Sequence, residues 1–271
     1  MTDDAWLAAL AGELRRHQLG PDLTAHVVAE TAAHLRDSGE SPLSAFGTPE
    51  GYATAVADSV GGPQPTTRPA GPVRLEVRGI TKRYRRRQVL AGVDLTVRAG
   101  QVAAVVGANG SGKSTFLRVC AGLTQPDAGT VRVHGRLGYC PQDGGTSEFL
   151  LPDEHFALVG VGRGLSRPAA RRQGRAYAAA LDWTPPPTQA RHLSGGTRQK
   201  LNLVLARLGT PDVLLLDEPY QGFDRGTYVD FWHEVWRWRD DGAAIVVVTH
   251  LLNQLDRVDL VLDLTRAEAA A

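Results

Sequence analysis

The sequence predicts an α/β protein with a buried parallel sheet, preceded by a small all-α domain. From Val73 onward, short β-rich runs alternate with helical patterns. Several of these runs are continuously apolar, which is typical of strands buried on both faces of a parallel sheet. The candidate strands are residues 73–77, 93–97, 102–106, 131–133, 213–216, 245–248 and 260–262. The chain from 73 to 271 is therefore expected to form one α/β domain.

Residues 1–60 form the predicted helical domain. Two series recur at helical spacing: Trp6, Leu7, Leu10 and Leu14, then Leu23, Val27, Thr31 and Leu35. Ser41-Pro42 and Thr48-Pro49 each pair a capping hydroxyl with a proline suited to the first helical position, which predicts two further short helices. Residues 61–72 contain four Pro and three Gly and are a predicted linker.

Charge and composition exclude several classes of protein. The formal net charge is +1, but residues 1–62 carry nine acidic and only three basic side chains, so the remainder is basic. No apolar run approaches the roughly 18 residues that are needed to cross a bilayer. The N-terminus lacks the pattern of a secretion signal, and Cys120 and Cys140 have neither metal-site nor redox spacing. We therefore expect a cytosolic protein with reduced thiols.

A glycine-rich loop follows the candidate strand 102–106. Residues 107–115 read Gly-Ala-Asn-Gly-Ser-Gly-Lys-Ser-Thr and precede a helix-like run, which is the arrangement of a P-loop. Glycines let successive N–H groups turn toward phosphates, and the helix N-terminus adds positive potential. Lys113 is expected to meet the outer phosphates, and the Ser114 hydroxyl to bind Mg²⁺. The predicted phosphate-binding residues are Gly107, Asn109, Gly110, Ser111, Gly112, Lys113, Ser114 and Thr115.

The apolar run 213–216 ends in two carboxylates, Asp217 and Glu218. A strand placed beside the P-loop strand would deliver Asp217 to the metal and Glu218 to the water that attacks the γ-phosphate. The alternative is a strand that ends in a solvated acidic turn. The complete P-loop favours the first interpretation.

A third motif starts a later helix-like run: Leu193-Ser194-Gly195-Gly196-Thr197. It resembles the signature sequence of the nucleotide-binding subunits of ABC transporters, and the resemblance extends from about Leu75 to Leu262. This implies a P-loop NTPase core of ABC ATPase type, with an antiparallel β subdomain and a helical subdomain at about 143–193. In that family the signature caps the ATP held by a second subunit, so the resemblance implies a dimer around two Mg-ATP molecules. A helix N-terminus carrying Ser and two Gly suits that role.

Further residues match other motifs of the family. Tyr84 resembles the aromatic that stacks on adenine, although a strand-edge aromatic is the alternative. Gln142 resembles the glutamine that senses Mg²⁺, His250 the histidine at the γ-phosphate, and Asp224 the loop that links the two sites. The resemblance thus assigns catalysis to Lys113, Glu218 and His250, the metal to Ser114, Gln142 and Asp217, and further nucleotide contacts to Tyr84, Gln142, Ser194, Gly195, Gly196 and Asp224.

Two positions depart from the family pattern. Thr197 stands where the family most often has Gln, and Phe223 stands where Leu is usual. Neither residue replaces a group assigned to phosphate or metal chemistry. We therefore expect altered tuning of hydrolysis and not its loss.

The resemblance implies an ATP-hydrolysing subunit of a membrane transporter. Its expected partners are a second ATPase subunit and a separately encoded permease, which would hold it at the cytoplasmic face of the cell membrane. Export is favoured, because only 21 residues follow His250 and leave no regulatory extension of the kind that many importers carry. The alternative is a soluble ABC ATPase that acts on ribosomes or DNA. The basic run 82–87 is predicted to be a solvated hairpin beside Tyr84, so no direct nucleic-acid contact is expected.

The first 60 residues carry a second, weaker resemblance. The segment 45–55 is similar to the small HAAS-type helical domains that are attached to some bacterial membrane and regulatory proteins. This implies an interaction module and not a catalytic one.

Overall fold

The computed structural model describes residues 2–17, 24, 27–28, 31–32, 35, 41–60, 71–85, 87–220, 223, 225–249 and 258–264. These residues divide into two compact units, one formed by the described residues up to 60 together with Val258, and the other formed by residues 71–249 and 259–264. Among the helices in these ranges, none is both long and apolar enough to cross a bilayer.

The first unit contains the helices α1 (Asp3–Arg16), α2 (Pro42–Phe46) and α3 (Pro49–Val60). The Thr2 hydroxyl caps α1 by accepting the Ala5 N–H at 3.3 Å. The core of the unit is formed by Trp6, Leu10, Leu14, Val27, Ala53 and Val56. The predicted inward faces are confirmed where they are described, including Thr31 and Leu35, which are buried. Leu23 lies outside the described residues.

The second unit starts with an antiparallel sheet of strands β1 (Val73–Tyr84), β2 (Arg87–Arg98) and β4 (Ala128–Val133), in the order β2-β1-β4. This confirms the antiparallel subdomain. β1 and β2 are longer than the apolar pattern indicates, because cross-strand pairing continues through the charged hairpin to Tyr84 and Arg87. Charged side chains at a solvent-exposed hairpin do not interrupt the backbone ladder.

Among the described residues, the parallel sheet has five strands: β3 (Val102–Val106), β5 (Leu137–Cys140), β6 (Val213–Asp217), β7 (Ala244–Val248) and β8 (Leu260–Asp263). Their order is β5-β6-β7-β3-β8. Every residue of β3, β6 and β7 is buried, as the continuous apolar runs predict. β5 is a four-residue strand that pairs with β6 along its whole length, and the sequence pattern does not predict it.

Within the part of the chain that the structure describes, five helices accompany this sheet: α4 (Lys113–Cys120), α5 (Pro152–Gly162), α6 (Arg167–Ala179), α7 (Gly195–Arg207) and α8 (Arg225–Asp240). The predicted helical subdomain at 143–193 contains α5, α6 and a 3₁₀ turn at Ala190–His192. α5 and α6 pack closely, since a side chain at Gly174 would collide with the ring of Phe156. The parallel strands β5, β6, β7 and β3 all end at one edge of the sheet, where the predicted chemistry is found.

Candidate functional site

The glycine-rich loop turns sharply between β3 and α4, and two of its glycines are required by space. Gly107 has φ 150°, and a Cβ there would lie 2.5 Å from Ser111 Oγ. Gly112 has φ 97°, and its Cβ would lie 2.6 Å from Val89 Cγ1. Side chains at either position would therefore displace their neighbours. The sequence pattern thus has a direct steric cause in this loop.

Lys113 is the first residue of α4 and is only 6% exposed. Its ammonium donates to the carbonyl oxygens of Gly107 at 2.7 Å and Ala108 at 3.1 Å, so it lies over the loop. Burial lowers the pKa of Lys113, while the charges of Glu218 and Asp217 oppose this shift. A cation held over backbone N–H groups at a helix N-terminus forms a site for polyanions such as phosphates.

Asp217, the last residue of β6, is buried and accepts a hydrogen bond from Ser114 Oγ at 3.2 Å. Burial raises the pKa of Asp217 to about 6, and the hydrogen bond from Ser114 and the charge of Lys113 partly oppose it. The hydroxyl and the carboxylate are hard oxygen donors of the kind that Mg²⁺ prefers. The predicted pair of metal ligands is therefore brought together.

Glu218 and Gln142 meet at the same edge. Gln142 Nε2 donates to Glu218 Oε2 at 3.2 Å. Glu218 has φ 45°, a left-handed conformation that side chains other than glycine adopt at a cost. Gln142 follows β5 and Glu218 follows β6, two neighbouring strands, so their proximity comes from the sheet order.

One geometric expectation is wrong. The strand ending in Asp217 does not lie beside β3, because β7 separates the two strands. Asp217 nevertheless reaches the P-loop residues, since α4 packs against β6 and its first turn brings Ser114 to the carboxylate. The helix, and not strand adjacency, therefore assembles the metal ligands.

Tyr84 ends β1, and the residue is 47% exposed. The hairpin that carries it lies beside the P-loop, because its cross-strand partner Arg87 donates from the guanidinium to Gly110 O at 3.0 Å. The Lys82 ammonium lies 5.6 Å from the centre of the Tyr84 ring. An exposed aromatic next to a phosphate loop can stack on a flat heterocycle.

The signature motif lies at the N-terminus of α7. Ser194 is the N-cap: its Oγ accepts the Thr197 N–H at 3.2 Å and donates to Thr197 Oγ1 at 2.8 Å. Ser194 and Gly195 are exposed, whereas Gly196 is half-buried. Among the described residues, no hydrogen bond joins this motif to the P-loop of the same chain. His250 and Asp224 lie outside them.

Three residues around this edge are not predicted by the sequence motifs. Arg87, in the basic hairpin, contacts the P-loop as described above. Gln199 and Asn202 are buried polar residues of α7 that bond to the loop around Gln142. The available signal was two amides, three residues apart, within the otherwise apolar face of a helix.

Comparisons with known proteins agree with this geometry. The family model described as ABC transporter matches residues 90–221. An aliphatic sulfonates import ATP-binding protein of Pseudomonas putida is 36% identical over 204 residues, which cover 70% of this chain and 73% of that protein. The chain belongs to the ABC transporter ATP-binding family. A Nod factor export ATP-binding protein of Ralstonia nicotianae is 31% identical over 198 residues, covering 68% of this chain. The match spans only 61% of that relative's length.

Solved structures of ABC cassettes share the fold. An ATP-binding subunit of an ABC transporter superposes with a TM-score of 0.65 at 27% identity, covering 71% of this chain and 87% of that one. An ATP-binding cassette solved as a dimer in a post-hydrolysis state with ADP and Pi gives a TM-score of 0.65 at 21% identity, covering 70% and 93%. The family and the ABC ATPase fold are therefore confirmed. The HAAS-type resemblance of the first 60 residues stays a prediction, because the family model begins at residue 90.

Proposed function

We propose that this chain is the ATP-hydrolysing subunit of a membrane ABC transporter. The observation that carries the proposal is that Lys113, the hydrogen-bonded pair Ser114–Asp217 and the hydrogen-bonded pair Gln142–Glu218 lie together at one edge of the parallel sheet. A cation, a hydroxyl, an amide and two carboxylates at that edge are the groups that phosphoryl transfer to water requires.

Each residue of the site has a distinct role in the proposed reaction. Lys113 and the N–H groups of the P-loop bind the β- and γ-phosphates and stabilise the charge that develops on them. Glu218 accepts a proton from the attacking water and orients it, and Gln142 holds the Glu218 carboxylate by its hydrogen bond. Tyr84 stacks on the adenine. We also assign the γ-phosphate contact to His250 and the link between sites to Asp224, as the family resemblance implies.

The chain's residues fit Mg²⁺. Ser114 Oγ and Asp217 Oδ1 lie 3.2 Å apart, and Gln142 contacts Glu218 at the same edge of the sheet. Oxygen donors for Mg²⁺ are therefore present. Among the described residues, no three His, Cys, Asp or Glu side chains gather to form a complete metal cage. This suits Mg²⁺, which is commonly bound through one or two protein ligands together with phosphates and water. When bound, Mg²⁺ would neutralise charge on the phosphate oxygens.

The proposed active form is a dimer. The exposed Ser194 and Gly195 offer a helix N-terminus to a phosphate from outside the chain. The post-hydrolysis cassette with the same fold was solved as a dimer, which supports this arrangement. Two chains would then enclose two ATP molecules, and hydrolysis would remove charge that holds them closed.

The proposed partner is a transmembrane permease, which would hold the chain at the inner face of the membrane. Phe149 and Leu158, within the helical subdomain, are 62% and 63% exposed, and large exposed apolar side chains support a protein contact there. We propose export, in line with the Nod factor export relative. Because an aliphatic sulfonates import protein is also similar to this chain, the direction of transport has to be tested by experiment.

The substitution Glu218→Gln tests the hydrolytic site and the dimer together. The amide cannot accept the proton from water, so we expect hydrolysis to fall by about 10²- to 10⁴-fold while ATP still binds. Size-exclusion chromatography should then show an ATP-dependent dimer, and Lys113→Ala in the same background should abolish it. A Glu218→Gln protein that stays monomeric with ATP at low salt would contradict the proposed dimer.

Isolation of the protein with its partners tests the transport assignment. A permease should co-purify from detergent-solubilised membranes, and its reconstitution in vesicles should make ATPase activity depend on the permease. Accumulation of substrate on the side opposite the ATPase would support export. Recovery with ribosomes and without a permease would instead favour the soluble alternative.

A further inference from the structure

Two buried amides of α7 connect this helix to the loop that carries Gln142. Asn202 and Gln199 are 3% and 5% exposed. Asn202 Nδ2 donates to Gly144 O at 2.8 Å and to Gln199 Oε1 at 3.2 Å. Gln199 Nε2 in turn donates to Pro141 O at 3.2 Å. The two side chains therefore hold the main chain on both sides of Gln142.

The contacts fix the orientation of the Asn202 amide. Its two N–H groups each meet an oxygen acceptor, whereas Oδ1 is buried and has no hydrogen-bond partner among the described residues. Reversing the amide would place Oδ1 against two other oxygens and leave the N–H groups buried and unpaired, which is costly. Asn202 thus acts as a double donor at this position.

Gly145 shows how closely the loop approaches α7. It has φ 80°, and a Cβ there would lie 2.7 Å from both Asn202 Oδ1 and Pro141 Cγ. The loop backbone therefore packs directly on the Asn202 side chain, with no space for a larger residue. A change on either side of this contact should displace the loop.

Gln142 is the only residue of this loop that we place in the hydrolytic machinery, through its bond to Glu218 at 3.2 Å. Since the residue before it and a residue two positions after it are tied to α7, the position of Gln142 depends on those ties. We propose that Asn202, supported by Gln199, is a positioning residue that keeps Gln142 at Glu218. The inference rests on the proposed ATPase function, and it adds a role for residues that do not touch the nucleotide.

Two substitutions at Asn202 test the inference in the full chain. Asn202→Ala removes both donors, and we expect kcat to fall about tenfold with little change in the KM for ATP, as for other supporting residues of active sites. Asn202→Asp keeps the shape but places a carboxylate against two oxygens, so we expect a larger loss at neutral pH. Burial raises the pKa of such a carboxyl, and its protonation restores one donor. The rate of Asn202→Asp relative to wild type should therefore rise as the pH falls.

Matched variants separate positioning from simple loss of stability. Leu203→Ala removes a fully buried apolar side chain of the same helix, and it should lower Tm without lowering kcat below its melting range. Gly145→Ala perturbs the loop without changing α7, and should lower kcat in the same direction as Asn202→Ala. If Asn202→Ala does not fold, Gly145→Ala and the pH profile of Asn202→Asp decide the question.

The outcomes are distinct from those of the proposed function. Absence of ATP hydrolysis by the wild-type protein would refute the ATPase proposal itself. A different combination of results would overturn only the positioning role of Asn202. In that case the wild-type protein hydrolyses ATP and Glu218→Gln abolishes this activity, but Asn202→Ala and Gly145→Ala keep the wild-type kcat and Asn202→Asp keeps the wild-type pH profile.

Discussion

The hydrolytic edge of the sheet and the signature end of α7 differ in how their polar groups are satisfied. At the sheet edge, Ser114 bonds to Asp217 and Gln142 bonds to Glu218, both within the chain. At the start of α7, the side-chain hydroxyl of the exposed Ser194 bonds only to Thr197, among the residues described. The first region is organised by the fold, whereas the second offers donors outward. This difference fits the proposed dimer, in which each chain supplies one half of a site and a cap for the other chain's site.

The largest expected effect concerns the hydrolytic edge of the sheet. Lys113→Ala removes the cation above the P-loop, and we expect ATP affinity to fall by about 10²-fold or more, because charge-assisted bonds to phosphate are lost. Titration with a fluorescent ATP analogue measures it. Arg175→Ala is the control, since that arginine pairs with Asp153 within the helical subdomain and has no role in the proposed site. Equal affinity in the two variants would contradict the assigned role of Lys113.

The second effect concerns the signature motif at the start of α7. Gly195→Asp adds a negative charge where a partner's phosphate would approach, although an acidic residue in a first helical turn favours the helix itself. We expect hydrolysis to fall by about 10²-fold and the ATP-dependent dimer to be lost, while ATP still binds to the P-loop.

Gly195→Ala provides the control for that substitution, because nothing lies within 4 Å of its added Cβ. It should change hydrolysis much less than Gly195→Asp. Loss of ATP binding by Gly195→Asp would mean that the signature acts within its own chain, which would remove the distinction between the two regions.

The third effect depends on pH. Burial raises the pKa of Asp217 to about 6 from 3.8, so below about pH 6 a proton competes with Mg²⁺ for the carboxylate. We expect Mg²⁺ affinity, corrected for free Mg-ATP, to fall about tenfold for each pH unit below that value. Between these two pKa values the folded chain binds the proton more tightly than the unfolded chain, so this carboxyl stabilises the fold at low pH, and that contribution is lost as the pH rises to about 6. Mg²⁺ affinity that is constant across this interval would contradict the assignment.

The smallest effect concerns Thr197. Its hydroxyl accepts the Ser194 O–H, while its N–H bonds to Ser194 Oγ. Thr197→Val keeps the shape and the N–H but frees the Ser194 hydroxyl for a phosphate, so we expect hydrolysis to rise by about fivefold, the value of one hydrogen bond. Steady-state ATPase rates measure this change. An unchanged rate would show that the Ser194 hydroxyl does not limit the reaction.

Much of the candidate site was predictable because its motifs have local physical causes. Gly107 and Gly112 occupy positions where a side chain does not fit, and Lys113 begins the helix that follows. Strands β3, β6 and β7 are recognisable in the sequence as apolar runs, because both of their faces are buried. β5 was missed, because four residues at a sheet edge carry too short a pattern to distinguish from a loop.

The sequence by itself determined the P-loop, the paired carboxylates and the signature motif, since each depends on neighbouring residues. Only the tertiary structure decided which of these groups meet. It placed β7 between β3 and β6, so that α4 delivers Ser114 to Asp217. It also directed Gln199 and Asn202 inward to the loop around Gln142. These contacts join segments far apart in the chain, and their partners are set by sheet order and helix packing, which no local pattern specifies.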